Sequence, residues 1–183
     1  MRTFIAVEVS DTVKPKILAL QKKIKSSGAD IRLVEPENLH YNLKFLGEID
    51  ETDIEKVKTA LSGISYPAFD VHITGIGAFP SATYIRVIWL GAKEGGQELT
   101  ALAKAIEEAL TAIGIGREER PFVPHLTLCR VENPKAKESL VKIVKNQQAT
   151  DVGKIRIDKI ILFQSKLSPK GPTYTPLHTV KLV

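Results

Sequence analysis

Cysteine is nearly absent: Cys129 is the one thiol in the chain. That excludes an internal disulfide and any thiolate-rich zinc site. Long apolar runs are missing too. None approaches the ~20 residues of a membrane span. The opening Met1-Arg-Thr-Phe-Ile-Ala-Val-Glu8 meets an acid before any long apolar stretch, so it does not read as a signal peptide. A cytoplasmic protein is the expectation. There is no Gly-x-Ser-x-Gly turn for a serine nucleophile. There is no His-Glu-x-x-His or clustered Asp/His group for a metal. The chemistry is therefore expected to run without metal or cofactor.

What remains fits one domain, or one two-lobed domain, of 183 residues. Hydrophobic residues make up 43% and charged residues 26%, enough for a sizeable core and too apolar for disorder. The net charge of +5 and pI of about 9.2 favour a polyanionic partner such as RNA.

Histidine is scarce, four residues in all, yet two of them open matching stretches. In Phe122-Val-Pro-His-Leu-Thr-Leu-Cys-Arg130, Leu126 and Leu128 alternate with His125 and Thr127. That is a strand pattern, and residues two apart on a strand share a face. An imidazole and a hydroxyl then stand side by side. In Asn38-Leu-His-Tyr-Asn-Leu-Lys-Phe-Leu-Gly47, His40 and Asn42 share a face and Tyr41, Leu43 and Phe45 take the other. His72 and His178 lack the pattern and read as structural. Cys129 reads as a buried thiol.

Around these stretches the chain alternates strands and helices. Thr3–Val9 reads as a central strand buried on both faces. Ser10 or Asp11 is expected to cap a helix with Val13, Ile17, Leu20 and Ile24 inside, ended by Gly28. Ile31–Val34 is a short strand. Thr52-Asp-Ile-Glu55 matches a capping box for a helix burying Ile54, Val57, Leu61 and Ile64. Val71–Ile76 and Tyr84–Leu90 form a hairpin across Phe79-Pro-Ser81. A helix from Glu98 to Ile113 carries Leu99, Leu102, Ile106, Leu110 and Ile113 on one face and is stopped by Gly114. Asn133-Pro134 is expected to cap the last helix, which buries Leu140, Ile143 and Val144. Ile155–Gln164 reads as one strand. Ser168–Pro172 is a turn, and Tyr174–Leu182 is the last strand.

The halves on either side of Gly95-Gly96 share an order: helix, histidine strand, helix, two further strands. This is a repeat of architecture rather than of residues. Two lobes, roughly 10–92 and 96–183, would pack about an approximate two-fold axis and turn both histidines toward one groove. The expected class is α+β, with mostly antiparallel strands and outer helices.

Two histidines across a groove suit acid–base chemistry, because an ordinary pKa of ~6.5 allows both protonation states near neutrality. A donor two residues on, Asn42 or Thr127, can steady an anionic oxygen. Phosphoryl chemistry fits this set. An RNA-end binding or sealing factor with little turnover fits the basic charge equally well.

His40-Tyr-Asn-Leu43 and His125-Leu-Thr-Leu128 resemble the paired His-x-Thr-x motifs of the two-histidine phosphoesterases. Within them the chain is similar to the LigT-like RNA 2′,3′-cyclic phosphodiesterases, also called RNA 2′-5′ ligases. The likeness extends to Arg2-Thr-Phe-Ile-Ala-Val7, Tyr84-Ile-Arg-Val-Ile-Trp-Leu90 and Ser168-Pro-Lys-Gly-Pro-Thr-Tyr174. It implies a bilobal fold with both motifs in a central cleft. It implies metal-free hydrolysis of RNA 2′,3′-cyclic phosphate ends to 2′-phosphomonoesters, with a weaker, reversible 2′-5′ joining of RNA ends. The implied partner is RNA carrying such ends, tRNA halves among them, met by a monomer. A small cyclic phosphate such as ADP-ribose 1″,2″-cyclic phosphate is the alternative substrate. His40 would donate a proton to the leaving O3′ and His125 would activate water. Phe45 and Arg130, each five residues after its histidine, would lie near the nucleotide, by base stacking and phosphate contact. Strict alternation points both away from the histidines' face, so a bulge is needed to turn them inward. Asn42 departs from the family pattern, which has threonine there, and puts that donor in question.

Overall fold

The computed structural model describes residues 1–133 and 137–183. Among them it contains β1 (Arg2–Glu8), α1 (Lys14–Lys25), β2 (Asp30–Leu33), β3 (His40–Glu48) and α2 (Glu51–Ser62). The hairpin β4 (Phe69–Pro80) and β5 (Ile85–Ala92) follows, then α3 (Gly96–Thr111), β6 (Leu126–Asn133) and α4 (Lys137–Asn146). The chain closes with β7 (Asp151–Ile157), β8 (Lys159–Ser168) and β9 (Gly171–Lys181). A 3₁₀ turn, Pro36–Asn38, leads into β3. The class is α+β, and each described strand pairing is antiparallel.

The apolar stripes read from the sequence meet in one core. Ile17, Leu20 and Ile24 of α1, Ile54, Val57 and Leu61 of α2, Leu99, Leu102, Ile106 and Leu110 of α3, and Leu140 and Val144 of α4 are all buried there. Each such side chain contributes about 1.5–3 kcal/mol relative to exposure, so burial rather than propensity holds these helices. Ile64, Ile113 and Ile143 pack on its rim, half-buried. A second, smaller cluster of Phe4, Ala6, Ile161 and Phe163, with Tyr174 against it, is separate from that core. On β1, Phe4 and Ala6 belong to the small cluster and Ile5 and Val7 to the large one, so the clusters lie on opposite faces of the sheet.

Several local expectations are corrected. The cap of α2 is Asp50, whose carboxylate accepts from the Asp53 N–H at 2.8 Å, and Thr52 lies within the first turn. The connection from β3 is so short that the earlier carboxylate already reaches the free amide. At α1 neither Ser10 nor Asp11 caps by side chain. Their carbonyls accept from Val13 and Lys14 in a backbone turn, and Pro15 in the first helical turn has no N–H to satisfy. Asn133 ends β6, and Pro134 lies outside the described residues. The second histidine strand begins at Leu126, one residue after His125.

The largest correction concerns residues 155–164. They are not one strand. The chain breaks at Asp158, and β7 pairs with β4 while β8 pairs with β1 and β9. The sheet runs β7-β4-β5-β6-β3-β1-β8-β9, with β2 also beside β6, so β7 and β8 lie toward opposite ends of it. Ile155, Ile157, Ile160 and Leu162 look continuous because both strands cover the same core.

The pairing sorts the strands into β7-β4-β5-β6, with β2, and β3-β1-β8-β9. Each group draws strands from both halves of the chain. The boundary expected at Gly95-Gly96 divides the sequence and not the sheet. α1 packs on β6 and α4 on β4 and β5, while α3 packs on β3 and α2 on β9.

Candidate active site

The two strand groups meet at a single bridge, Tyr41 opposite Leu126. Both side chains are fully buried in the core. Their flanking residues, His40 and Asn42 on one strand and His125 and Thr127 on the other, therefore turn to the opposite face. An antiparallel pair has a local two-fold axis, and here it exchanges His40 with His125 and Asn42 with Thr127. All four line one cleft of about 620 Å³. A separate polar hollow of about 420 Å³ beside the start of α1 contains no histidine.

Matching bulges bring in two more residues. Along β1–β3, Ile5 faces Lys44 and the next residue, Ala6, faces Asn42, so Leu43 is extra. Along β5–β6, Ile88 faces Cys129 and Trp89 faces Thr127, so Leu128 is extra. Each bulge falls three residues after its histidine and reverses the alternation beyond it. Lys44 and Cys129 consequently join the core side, 3% and 0% exposed. Phe45 and Arg130 turn into the cleft.

Each consequence has its own chemistry. A buried ammonium must be paired. Lys44 Nζ donates to Glu107 Oε2 at 2.5 Å and to the Gly116 carbonyl at 2.9 Å, and Glu107 Oε1 accepts from the Glu118 N–H at 2.7 Å. This ties the loop after α3 to the bulged strand. The Cys129 thiol is pushed up to about 12 by burial, so it is inert near neutrality. Phe45 stays 43% exposed, with the Arg2 guanidinium 5.1 Å from its ring centre.

The histidines are held alike. Their Nδ1 atoms lie 2.6 Å from the Asn38 carbonyl for His40 and 2.7 Å from the Val123 carbonyl for His125. A carbonyl can only accept, so both Nδ1 atoms carry the proton. Nε2 is then the nitrogen left to accept or deliver a proton in the cleft. Each ring also rests on two aromatic side chains. His40 lies 5.0 Å from Phe4 and 5.4 Å from Tyr174, and His125 lies 5.1 Å from Phe79 and 6.2 Å from Trp89. Sequence reasoning missed these four as site residues. Their strand parity was readable, but only the strand order shows which of them adjoin a histidine. Burial is the main cause lowering the His40 pKa, the Asn38 carbonyl opposes it, and the charges of His125 and Arg130 lower it further.

Asn42 Oδ1 is buried with no hydrogen-bond partner among the described residues, which leaves the NH₂ as the end able to reach a ligand. Arg2, Arg32, Arg130 and Lys170 line the cleft against Glu35 and Glu132. Arg32 is paired with Glu132 at 3.2 Å. Among the described residues, Arg2, Arg130 and Lys170 have no ion-pair partner. The cleft thus presents free positive charge to an anion. His72 bonds Asp151 and His178 bonds Ser62, both at 2.8 Å and away from the cleft. Among the described residues no group of His, Cys, Asp and Glu side chains could hold a metal ion, and no helix is long and apolar enough to cross a membrane.

Comparison with known proteins matches this geometry. The family described as LigT like Phosphoesterase matches twice, at residues 7–89 and 90–174. Each match contains one histidine motif, so the repeat extends to sequence. An RNA 2′,3′-cyclic phosphodiesterase of Methanothermobacter thermautotrophicus is 34% identical over 184 residues, covering 100% of this chain and 99% of its own. Its namesake in Archaeoglobus fulgidus is 38% identical over 180 residues, 97% of this chain and 98% of its own. The crystal structure of TT0787 of Thermus thermophilus superposes with a TM-score of 0.82 at 26% identity, covering 100% of this chain and 98% of the other. E. coli LigT complexed with 3′-AMP shares the fold, with a TM-score of 0.80 at 24% identity over 100% of this chain and 98% of its own. With full-length relatives, a twice-matched family model and the two-fold histidine cleft in agreement, the chain belongs to the LigT-like phosphoesterases.

Proposed function

We propose that the protein hydrolyses 2′,3′-cyclic phosphate ends of RNA to 2′-phosphomonoesters, with His40 and His125 as the proton-transfer pair and no metal. The observation that carries this reading is the two-fold arrangement of imidazoles, each locked through Nδ1 and each leaving Nε2 to a cationic cleft. The relatives named RNA 2′,3′-cyclic phosphodiesterase support the substrate class.

Water attacks phosphorus while His125 Nε2 takes its proton. The P–O3′ bond breaks, and His40 Nε2 delivers a proton to O3′. One water is consumed and the 2′-phosphate remains. Asn42 and Thr127 donate to the non-bridging oxygens, whose charge grows in the transition state. Phe45 stacks on the base and Arg130 contacts the phosphate. Acting as an acid requires a protonated His40, whereas burial and neighbouring cations favour its neutral form. The phosphodiester supplies a negative charge beside Nε2, which raises that pKa when the substrate binds. An RNA 5′-hydroxyl in place of the water would give a 2′-5′ phosphodiester by the same proton transfers.

The test is incubation with an oligonucleotide ending in a 2′,3′-cyclic phosphate, with excess chelator, followed by mapping of the product phosphate. The expected product is the 2′-phosphomonoester. His40→Ala and His125→Ala should each slow turnover by about 10²- to 10⁴-fold, the usual size of general acid or base catalysis. A 3′-phosphate product would contradict the assigned leaving group. Loss of activity on chelation, restored by one divalent ion, would contradict the two-histidine mechanism.

A further inference from the structure

We propose that Asn38 is a positioning residue that couples the β8–β9 hairpin to the proton-transfer geometry of His40. The inference rests on the reading of His40 given above.

Asn38 is polar yet only 7% exposed, at the end of the 3₁₀ turn before β3. Its two ends point to different partners. The side-chain amide donates to the Pro172 carbonyl at 3.0 Å, on β9, far away in the chain. The main-chain carbonyl is the acceptor for His40 Nδ1 at 2.6 Å. A single residue therefore bonds both the hairpin and the imidazole.

The other motif shows that this tie is additional to the basic arrangement. His125 Nδ1 also bonds the carbonyl two residues earlier, but that residue is Val123, which is 43% exposed and has no polar side chain to anchor it. The two-fold relation of the histidines thus stops at their acceptors. His40 takes its orientation from a residue fastened to the hairpin, and His125 from an exposed loop.

The hairpin is also a wall of the cleft. Leu167, Lys170 and Pro172 line it, and Lys170 has no ion-pair partner among the described residues. Tyr174, two residues past Pro172, meets His40 edge-on at 5.4 Å. Contact between substrate and hairpin is passed to the peptide that sets the Nδ1–H···O line. That line fixes which nitrogen carries the proton and where Nε2 points.

The test uses Asn38→Ala and the isosteric Asn38→Asp, whose carboxylate keeps the volume and cannot donate to Pro172 when ionised. Both are read in the full-length protein by ¹⁵N-histidine NMR and by kinetics on a cyclic-phosphate oligonucleotide. In the parent, His40 should show the Nδ1-protonated tautomer. In the variants it should shift toward a mixture of tautomers while His125 stays unchanged. Turnover should fall about 10- to 100-fold with KM moving far less, the scale of a misplaced catalytic group, and the limb of the pH profile due to His40 should move. An unchanged His40 tautomer in folded Asn38→Asp overturns the proposal whatever the rates do. The NMR result needs no substrate, so inactivity of the parent would sink the functional reading and still leave the coupling decided.

Discussion

At the scale of the residue, Asn42 is the most informative position. It stands on the two-fold from Thr127, and its buried Oδ1, without a partner among the described residues, leaves the NH₂ as the end able to reach a ligand. An amide can donate as a hydroxyl can, from slightly further out. Asn42→Ala should slow turnover roughly 10- to 10³-fold, the scale of losing one charge-stabilising donor. Asn42→Asp should be worse, because an ionised carboxylate repels phosphate and donates nothing. Asn42→Thr should keep substantial activity. Kinetics of the three variants on one cyclic-phosphate substrate decides the matter. Parent-like turnover in folded Asn42→Ala and Asn42→Asp would leave the first motif contributing only its histidine. This site was legible in sequence because it repeats: a histidine and a donor at the same spacing, twice. The aromatic beds were not legible, since Phe4 and Trp89 read equally well as core.

At the scale of the element, the two bulges turn side chains into the cleft and the β4–β5 hairpin backs one of its histidines. The hairpin bears Phe79 and Trp89, which lie against His125. Gly77 faces Trp89 across the hairpin, and a Cβ there would stand 2.3 Å from an indole carbon, far inside contact distance. A ring packed on a strand cannot swing away without disturbing its neighbours. Gly77→Ala should therefore displace the indole and loosen the bed of His125. Trp89 is the sole tryptophan, so its fluorescence reports the change directly. The expected result is a shifted emission maximum together with reduced turnover. An unchanged spectrum and parent-like activity would show that the hairpin yields elsewhere.

At the scale of the whole molecule, the site couples to stability through His40. Its pKa lies below the ordinary 6.5, burial being the main cause, so the unfolded chain takes up a proton at a higher pH than the folded one. Above 6.5 both states are neutral at this position and nothing is lost. As pH falls from there through the folded value, the unfolded state gains. Urea unfolding at about pH 7 and about pH 5, either side of the reference histidine pKa, should show the parent losing more stability than His40→Gln, which cannot titrate. Parallel losses would mean that His40 takes up its proton equally easily in both states. Protonation of Glu107, whose burial raises its pKa but whose hydrogen bonds from Lys44 and the Glu118 amide, with the nearby Lys44 and Arg117 charges, together lower it, is common to both proteins and belongs to more acid conditions.

What the sequence determined by itself was local. Strand parity placed His40 with Asn42 and His125 with Thr127, the apolar stripes placed the inner faces of four helices, and the spacing of two motifs indicated a repeat. These follow from periods of 2 and 3.6, which a side chain obeys without reference to distant partners. Only the tertiary structure decided which strands are neighbours. It split 155–164 at Asp158 and mixed strands from both halves of the chain in each strand group. It also inserted Leu43 and Leu128 as bulges, which turned Phe45 and Arg130 into the cleft. A bulge is a mismatch between two strands, and strand order is a relation among many. Neither has a period along one chain: the resemblance asked for a bulge, but its place, like the strand order, could not be read until β1, β3, β5 and β6 lay side by side.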